Sequence, residues 1–278
     1  MSSCNIINPD EGVPSFLYIE QIDFESGITD GNSHKITEIW IYQGGTMLGA
    51  YDLPAKVPVL EEGMTAFSIR AGIKNNGISS NRIVYPFYTR FETTVDLVPG
   101  EVDTLVPYFT LKDGIAIPDE VFAMFDDPGS NYAETSSSLA EMITSTIPED
   151  VYGGTGGSGY IHLDSEESVW EAKSLGEVDL PRGEFVFLEF DYRCNNTLAV
   201  GLYANTGPSV TKEPALFLYP TTNSAGQSTW NKVYVDLGGP ISNNPSAEDF
   251  NVYFESSLGT SLDEAEVWLD NIKIIHYD

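Results

Sequence analysis

Lys35-Ile36-Thr37-Glu38-Ile39-Trp40-Ile41-Tyr42, then Gln43-Gly44-Gly45-Thr46, then Met47-Leu48-Gly49-Ala50-Tyr51-Asp52, read together as one β-hairpin. The first run alternates with period two. Ile36, Trp40 and Tyr42 share one parity, and Ile39 and Ile41 share the other, which is the spacing of a strand and not of a helix. Gly44-Gly45 supplies the positive φ that a tight primed turn requires. The third run returns as the partner strand.

With the hairpin fixed, its flanks read the same way. Phe16-Leu17-Tyr18-Ile19 opens the series, followed by Ile22 and Phe24. Pro54 and Pro58 keep the next segment out of a central ladder, because proline has no N–H to donate. Glu62-Gly63 is a turn, Ala66 to Ala71 a strand, and Phe91–Leu97, Pro99-Gly100 and Val102–Leu111 a closing pair. Short strands separated by turns at this spacing predict a β-sandwich over 16–112.

Residues 113–120, with Gly114 and Pro118, read as a linker or as the first edge of a second domain over 121–278. Ser136 to Ile143 is the one segment that suggests a helical turn. Phe185 to Tyr192 alternates, and Leu198–Tyr203, Ala215–Tyr219, Trp230–Leu237, Phe250–Phe254 and Val267–His276 add further strands. The prediction is an all-β chain of two sandwiches. The glycine-rich loop from Gly153 to Gly159 lacks the Gly-Lys-Ser/Thr that a phosphate cradle needs.

The 278 residues carry 42 acidic and 13 basic side chains, a net charge of −29. Such a chain does not hold nucleic acid through a general basic surface, nor dock electrostatically on anionic lipid. With 41% hydrophobic and 12% aromatic residues it is no disordered acidic tail. The charge is uneven. Residues 1–112 hold 14 acidic and 7 basic residues, whereas 113–278 hold 28 and 6.

The two cysteines are Cys4 and Cys194. Cys194 ends a strand-like run and reads as a buried free thiol. Ser2-Ser3-Cys4 resembles the tail of a bacterial lipobox, with Met1 where a Leu would stand, and the polar residues that follow suit a tether over 1–15. Lipidation at Cys4 is therefore the expectation, with acyl chains as the membrane anchor. No apolar stretch approaches the ~20 residues of a spanning helix.

Gly49-Ala50-Tyr51-Asp52-Leu53-Pro54 with Glu61-Glu62-Gly63 resembles the PEGA-like and immunoglobulin-like modules of bacterial envelope proteins. Ser33 to Thr37, Gly72 to Ile78 and Tyr85 to Tyr88 are similar to segments of uncharacterised surface lipoproteins of Bacteroidota. That likeness implies an outer-membrane, cell-surface address. Phe125-Asp126-Asp127, Glu189-Phe190-Asp191-Tyr192, Trp230 to Leu237 and Trp268-Leu269-Asp270-Asn271-Ile272 resemble the galactose-binding-like jelly rolls, which include carbohydrate-binding modules. In that family a carboxylate from the first strand and one from the last often hold a structural calcium. The resemblance implies Asp126, Asp127 and Asp270 as candidate ligands. Read on their own, Asp126-Asp127-Pro128-Gly129 is also an ordinary turn.

Enzyme signatures are weak. Glu189 and Asp191 lie two apart on one strand, a pattern more common in satisfied or solvent-facing pairs than in glycoside hydrolysis. His34, His162 and His276 are scattered, and no Gly-x-Ser-x-Gly elbow occurs. The chain reads as a non-catalytic binder. The first expectation is an interaction subunit whose partners are outer-membrane proteins or other lipoproteins. The alternative is a surface lipoprotein whose jelly roll captures polysaccharide. Core packing claims Trp230 and most tyrosines, so Trp170 and Trp268 are the candidate ligand-binding rings.

Overall fold

Ile39 and Ile41 are fully buried while Trp40 and Tyr42 are half-exposed, so the odd parity of the hairpin faces the core. The computed structural model describes residues 12–28, 32–126 and 131–278. The chain is all-β and divides into two compact units. The first holds Ile36–Ile73 and Ile83–Lys112 together with the earlier residues up to Asn32. The second holds Asp113–Asp278 and also takes up Ser33–Lys35 and Lys74–Arg82.

The strands of the first unit are β1 (Ser15–Ile19), β2 (Asp23–Glu25), β3 (Glu38–Gln43), β4 (Thr46–Asp52), β5 (Ala55–Val59), β6 (Gly63–Lys74), β7 (Arg82–Val84), β8 (Arg90–Leu97), β9 (Val102–Thr104) and β10 (Tyr108–Thr110). One sheet runs β4-β3-β6-β7, with β8 also paired to β6; another runs β5-β1-β9, and β2 pairs with β10. The proline-bearing β5 is an edge strand, as the missing donor of Pro58 demands. The stretch Val102–Leu111 is two strands, with Pro107 between them. Leu17, Ile19, Val57, Phe67, Ile69 and Phe109 are among the buried core residues.

The second unit is a jelly roll of two sheets built from β11 (Ile115–Ala116), β12 (Tyr132–Glu134), β13 (Met142–Ser145), β14 (Ser158–Leu163), β15 (Val169–Ser174), β16 (Val186–Cys194), β17 (Leu198–Thr206), β18 (Ser209–Leu218), β19 (Asn231–Asp236), helix α1 (Gly238–Asn243), β20 (Asp249–Ser257) and β21 (Ala265–Tyr277). One sheet has the order β13-β14-β21-β16-β19, and the other β12-β15-β20-β17-β18. Their inner faces share a core that includes Trp170, Leu188, Phe190, Leu202, Val252, Phe254 and Ile274.

One expectation is corrected here, and one pair of alternatives is narrowed. No helical turn covers Ser136 to Ile143: Met142–Ser145 is a strand paired with β14, and the α-helix follows Leu237 instead. Of the two readings of 113–120, the first edge of the second domain is the one the strand pairing fits, since β11 pairs with His276 and Tyr277 of the last strand. Cys4 and Asp127, the candidate lipidation site and one candidate calcium ligand, lie outside the described residues.

Candidate functional site: an aromatic groove on the jelly roll

Phe217 and Tyr219 stand two residues apart at the end of β18, 62% and 80% exposed. Alternation along a strand turns both rings to the same side, while Leu218 between them is buried in the core. The backbone beneath them is fixed. Thr221 donates its N–H to the Cys194 carbonyl at 2.9 Å, and its hydroxyl accepts the Cys194 N–H at 3.0 Å. Both rings border a groove of about 690 Å³ whose other walls include Lys35, Asn76, Tyr192, Trp230 and Asn231.

Each of these groups has a local reason for its place. Asn75 bridges to Tyr234, Asn76 donates its N–H to the Tyr234 carbonyl at 2.9 Å, and the Asn76 side chain accepts the Asp236 N–H at 2.8 Å. The segment thus extends the edge of β19, and Gly77, at φ +68°, turns it back. Asn231 donates to the Tyr192 hydroxyl at 3.0 Å and accepts from the Lys35 ammonium. Burial pushes the Tyr192 phenol up, and burial lowers Lys35. Trp230 meets Tyr152 edge-on at 5.8 Å, and its indole nitrogen is buried with no hydrogen-bond partner. The groove therefore joins exposed apolar rings to a floor of amide, hydroxyl and ammonium groups.

The two rings singled out from the sequence are elsewhere. Trp170 is 0% exposed in the core, because its position on β15 has the inward parity. Trp268 faces outward from β21 but is only 6% exposed, beneath the guanidinium of Arg193. Neither presents a face to a ligand. The sequence signal for the exposed rings is the run Phe217-Leu218-Tyr219-Pro220, where β18 ends at Leu218 just before the proline and leaves both outward rings uncovered.

Asp126 and Asp270 do come together. Asp126 accepts the Gly157 N–H at 2.9 Å, and Asp270 accepts the Asn271 N–H at 2.7 Å. Asp191 is the cross-strand partner of Asp270. Burial pushes the Asp270 carboxyl up to about 8, and the carboxylates of Asp191 and Asp126 push the same way. One Asp191 oxygen accepts from Asn271 at 2.9 Å, and the other is buried with no partner. Crowding of these carboxyls makes ionisation of Asp270 costly, a strain that a hard dication would relieve. Among the described residues no group of three His, Cys, Asp or Glu side chains is arranged to hold a metal, so the set there falls short of a full shell.

Two other clusters of charged groups pair internally. Glu189 is buried between Lys232 at 3.1 Å and Lys273 at 3.3 Å. On the other sheet, Glu171 accepts from Thr135 and from Tyr203, each at 2.6 Å, and from Lys212, which also reaches Glu255 at 2.7 Å. Burial opposes ionisation of Glu171, but these bonds hold its carboxyl below the usual range. This network clamps β15, β17, β18 and β20 together across their outer face.

No protein-family model matches the sequence, and no curated protein matches it closely. Solved structures do. A family 29 carbohydrate-binding module is 13% identical, with 58% of this chain and 86% of that one covered and a TM-score of 0.35. A variant of such a module, CBM29-2, complexed with cellulohexaose is 13% identical over 59% of this chain and 92% of that one, at a TM-score of 0.36. The enzymatically active domain of bacteriophage CBA120 tailspike protein 4 is 11% identical over 62% of this chain and 26% of its own, at 0.40. These likenesses are too loose to transfer a residue or a ligand to this chain.

Proposed function

We propose that this chain is a non-catalytic glycan-binding protein and that the groove beside Phe217 and Tyr219 is where the glycan lies. The observation that carries the reading is the pair of exposed, backbone-fixed rings on one side of a groove with a polar floor. Aromatic faces stack on the C–H faces of pyranose rings, and a few placed polar groups orient the hydroxyls. The net charge of −29 disfavours polyanionic chains, so the ligand class is a neutral polysaccharide. Acylation at Cys4 would hold the groove at the outer surface of the cell.

The test is affinity electrophoresis through gels holding neutral β- and α-linked polysaccharides. Retardation in at least one gel, lost when Phe217 and Tyr219 are both changed to Ala, supports the reading. No retardation in any gel, or retardation that survives the double change, overturns it. In the second case, co-purification with an outer-membrane protein from native membranes would favour the assembly-subunit role.

We also propose that calcium is held at the corner of Asp126 and Asp270, with backbone carbonyls completing the shell. The ion would neutralise the acidic corner and tie the start of the jelly roll to its last strand. Asp191 would hold Asn271 in register beside it.

A further inference from the structure

A separate feature lies on the first unit. Arg70 on β6 and Arg90 on β8 are direct cross-strand partners, and Tyr42, Ser68 and Glu92 form the next row on the same face. With the Gly44-Gly45 turn these side chains line a cavity of about 290 Å³. Like charges directly opposite one another on a sheet repel. The juxtaposition is notable in a chain with only five arginines and 42 acidic residues.

The two guanidiniums are not equivalently engaged. Arg90 pairs with Glu92 at 2.8 Å, and both are largely exposed. The Arg70 guanidinium carbon lies over the Tyr42 ring, 4.2 Å from its centre, an attractive contact that anchors the side chain. Its Nε is buried with no hydrogen-bond partner, as is the Ser68 hydroxyl. The cavity wall thus holds one positive charge in excess, and two unpaired donors lie beneath its surface. A desolvated, unpaired donor is costly, and a planar oxyanion accepts from a guanidinium fork in two places.

We propose that this cavity is a binding site for a single carboxylate, received by Arg70 with help from Ser68 and Arg90. One surplus charge matches a monoanion, and the −7 balance of residues 1–112 disfavours a dianion such as sulfate or phosphate. The site stands independently of the glycan groove. A carboxylate could come from a uronate sugar or from a simple organic acid, and the test separates these.

Nitrogen-15-labelled full-length protein is titrated with sodium glucuronate, sodium acetate, sodium sulfate and sodium chloride at matched ionic strength, following the arginine Nε–H resonances. The Arg70 resonance is identified by its loss in Arg70→Lys. The expected result is a saturable shift of that resonance with a carboxylate and none with chloride, weakened about tenfold or more in Arg90→Gln. Tighter binding of glucuronate than acetate identifies a sugar acid as the source; equal binding identifies the bare carboxylate. Both results support the site. Equal shifts with chloride, stronger binding of sulfate, no shift, or a shift unchanged in Arg90→Gln overturns it. Near-ultraviolet circular dichroism of Arg90→Gln confirms that the fold is retained, as expected for a side chain 65% exposed.

Discussion

The guanidinium carbon of Arg193 lies 3.7 Å from the centre of the Trp268 ring, and the Tyr160 ring flanks the same indole at 5.2 Å. Arg193 is itself fixed by Asp150 at 2.8 Å. The indole is therefore a structural surface, covered from above by a cation that is held in place. Trp268→Ala is expected to lower stability by about 3 kcal/mol or more, from lost burial and the lost cation–π contact. Retention on a polysaccharide that the wild type binds should be unchanged. Urea denaturation and gel retention check the two parts; lost retention in a folded variant would return Trp268 to the ligand site.

Gly201 is required by its neighbours. A Cβ there would sit 2.3 Å from the Glu213 carbonyl oxygen and 2.8 Å from the Tyr253 ring. The backbone of β18 passes over this point, at the register shift between Val200 and Gly201. Gly201→Ala is expected to cost about 1–3 kcal/mol. A chemical denaturation midpoint equal to that of the wild type would refute the expectation.

Cys194 is a buried thiol whose pKa burial raises from 9.0 to about 11. At pH 8 the native protein should resist iodoacetamide at this residue, while the urea-unfolded chain reacts, as read by peptide mass spectrometry. The stability effect has a definite sign. The folded state keeps the proton to higher pH than the unfolded one, so this contribution is complete below pH 9 and is lost as pH rises through 11. The stability advantage of wild type over Cys194→Ala should shrink across that window. A constant difference would argue against the shift.

Calcium at the Asp126–Asp270 corner predicts a higher melting temperature in millimolar calcium than in chelator, since an ion that binds only the folded state must stabilise it. Asp270→Asn should abolish the calcium-dependent part. Identical melting curves in calcium and chelator would exclude the site.

Much of the fold was legible because its signals are local. The Gly44-Gly45 hairpin, the proline-marked edge strand and the alternation of Phe185 to Tyr192 each declare themselves within a few residues. Ser136 to Ile143 misled because its apolar spacing is short enough to fit a turn of helix or a β-edge; pairing of Met142–Ser145 with β14 decided it. The short helix at Gly238–Asn243 has poor intrinsic propensity, and tertiary packing of Pro240 and Ile241 overrides that. The site was less legible. Which tryptophan faces solvent depends on what lies above it, and nothing in Trp268-Leu269-Asp270 announces Arg193. The groove wall from Lys35 and Asn76 rests on contacts across well over a hundred residues of sequence, which no local pattern reports.

The second unit borrows Ser33–Lys35 and Lys74–Arg82 from within the sequence of the first. The second unit is therefore discontinuous in sequence. Cutting at Lys112 would leave β19 without the Asn75-Asn76 extension and the groove without one wall, however well the remaining jelly roll folded. Recombination at that apparent boundary would part segments of the second unit and leave the groove incomplete.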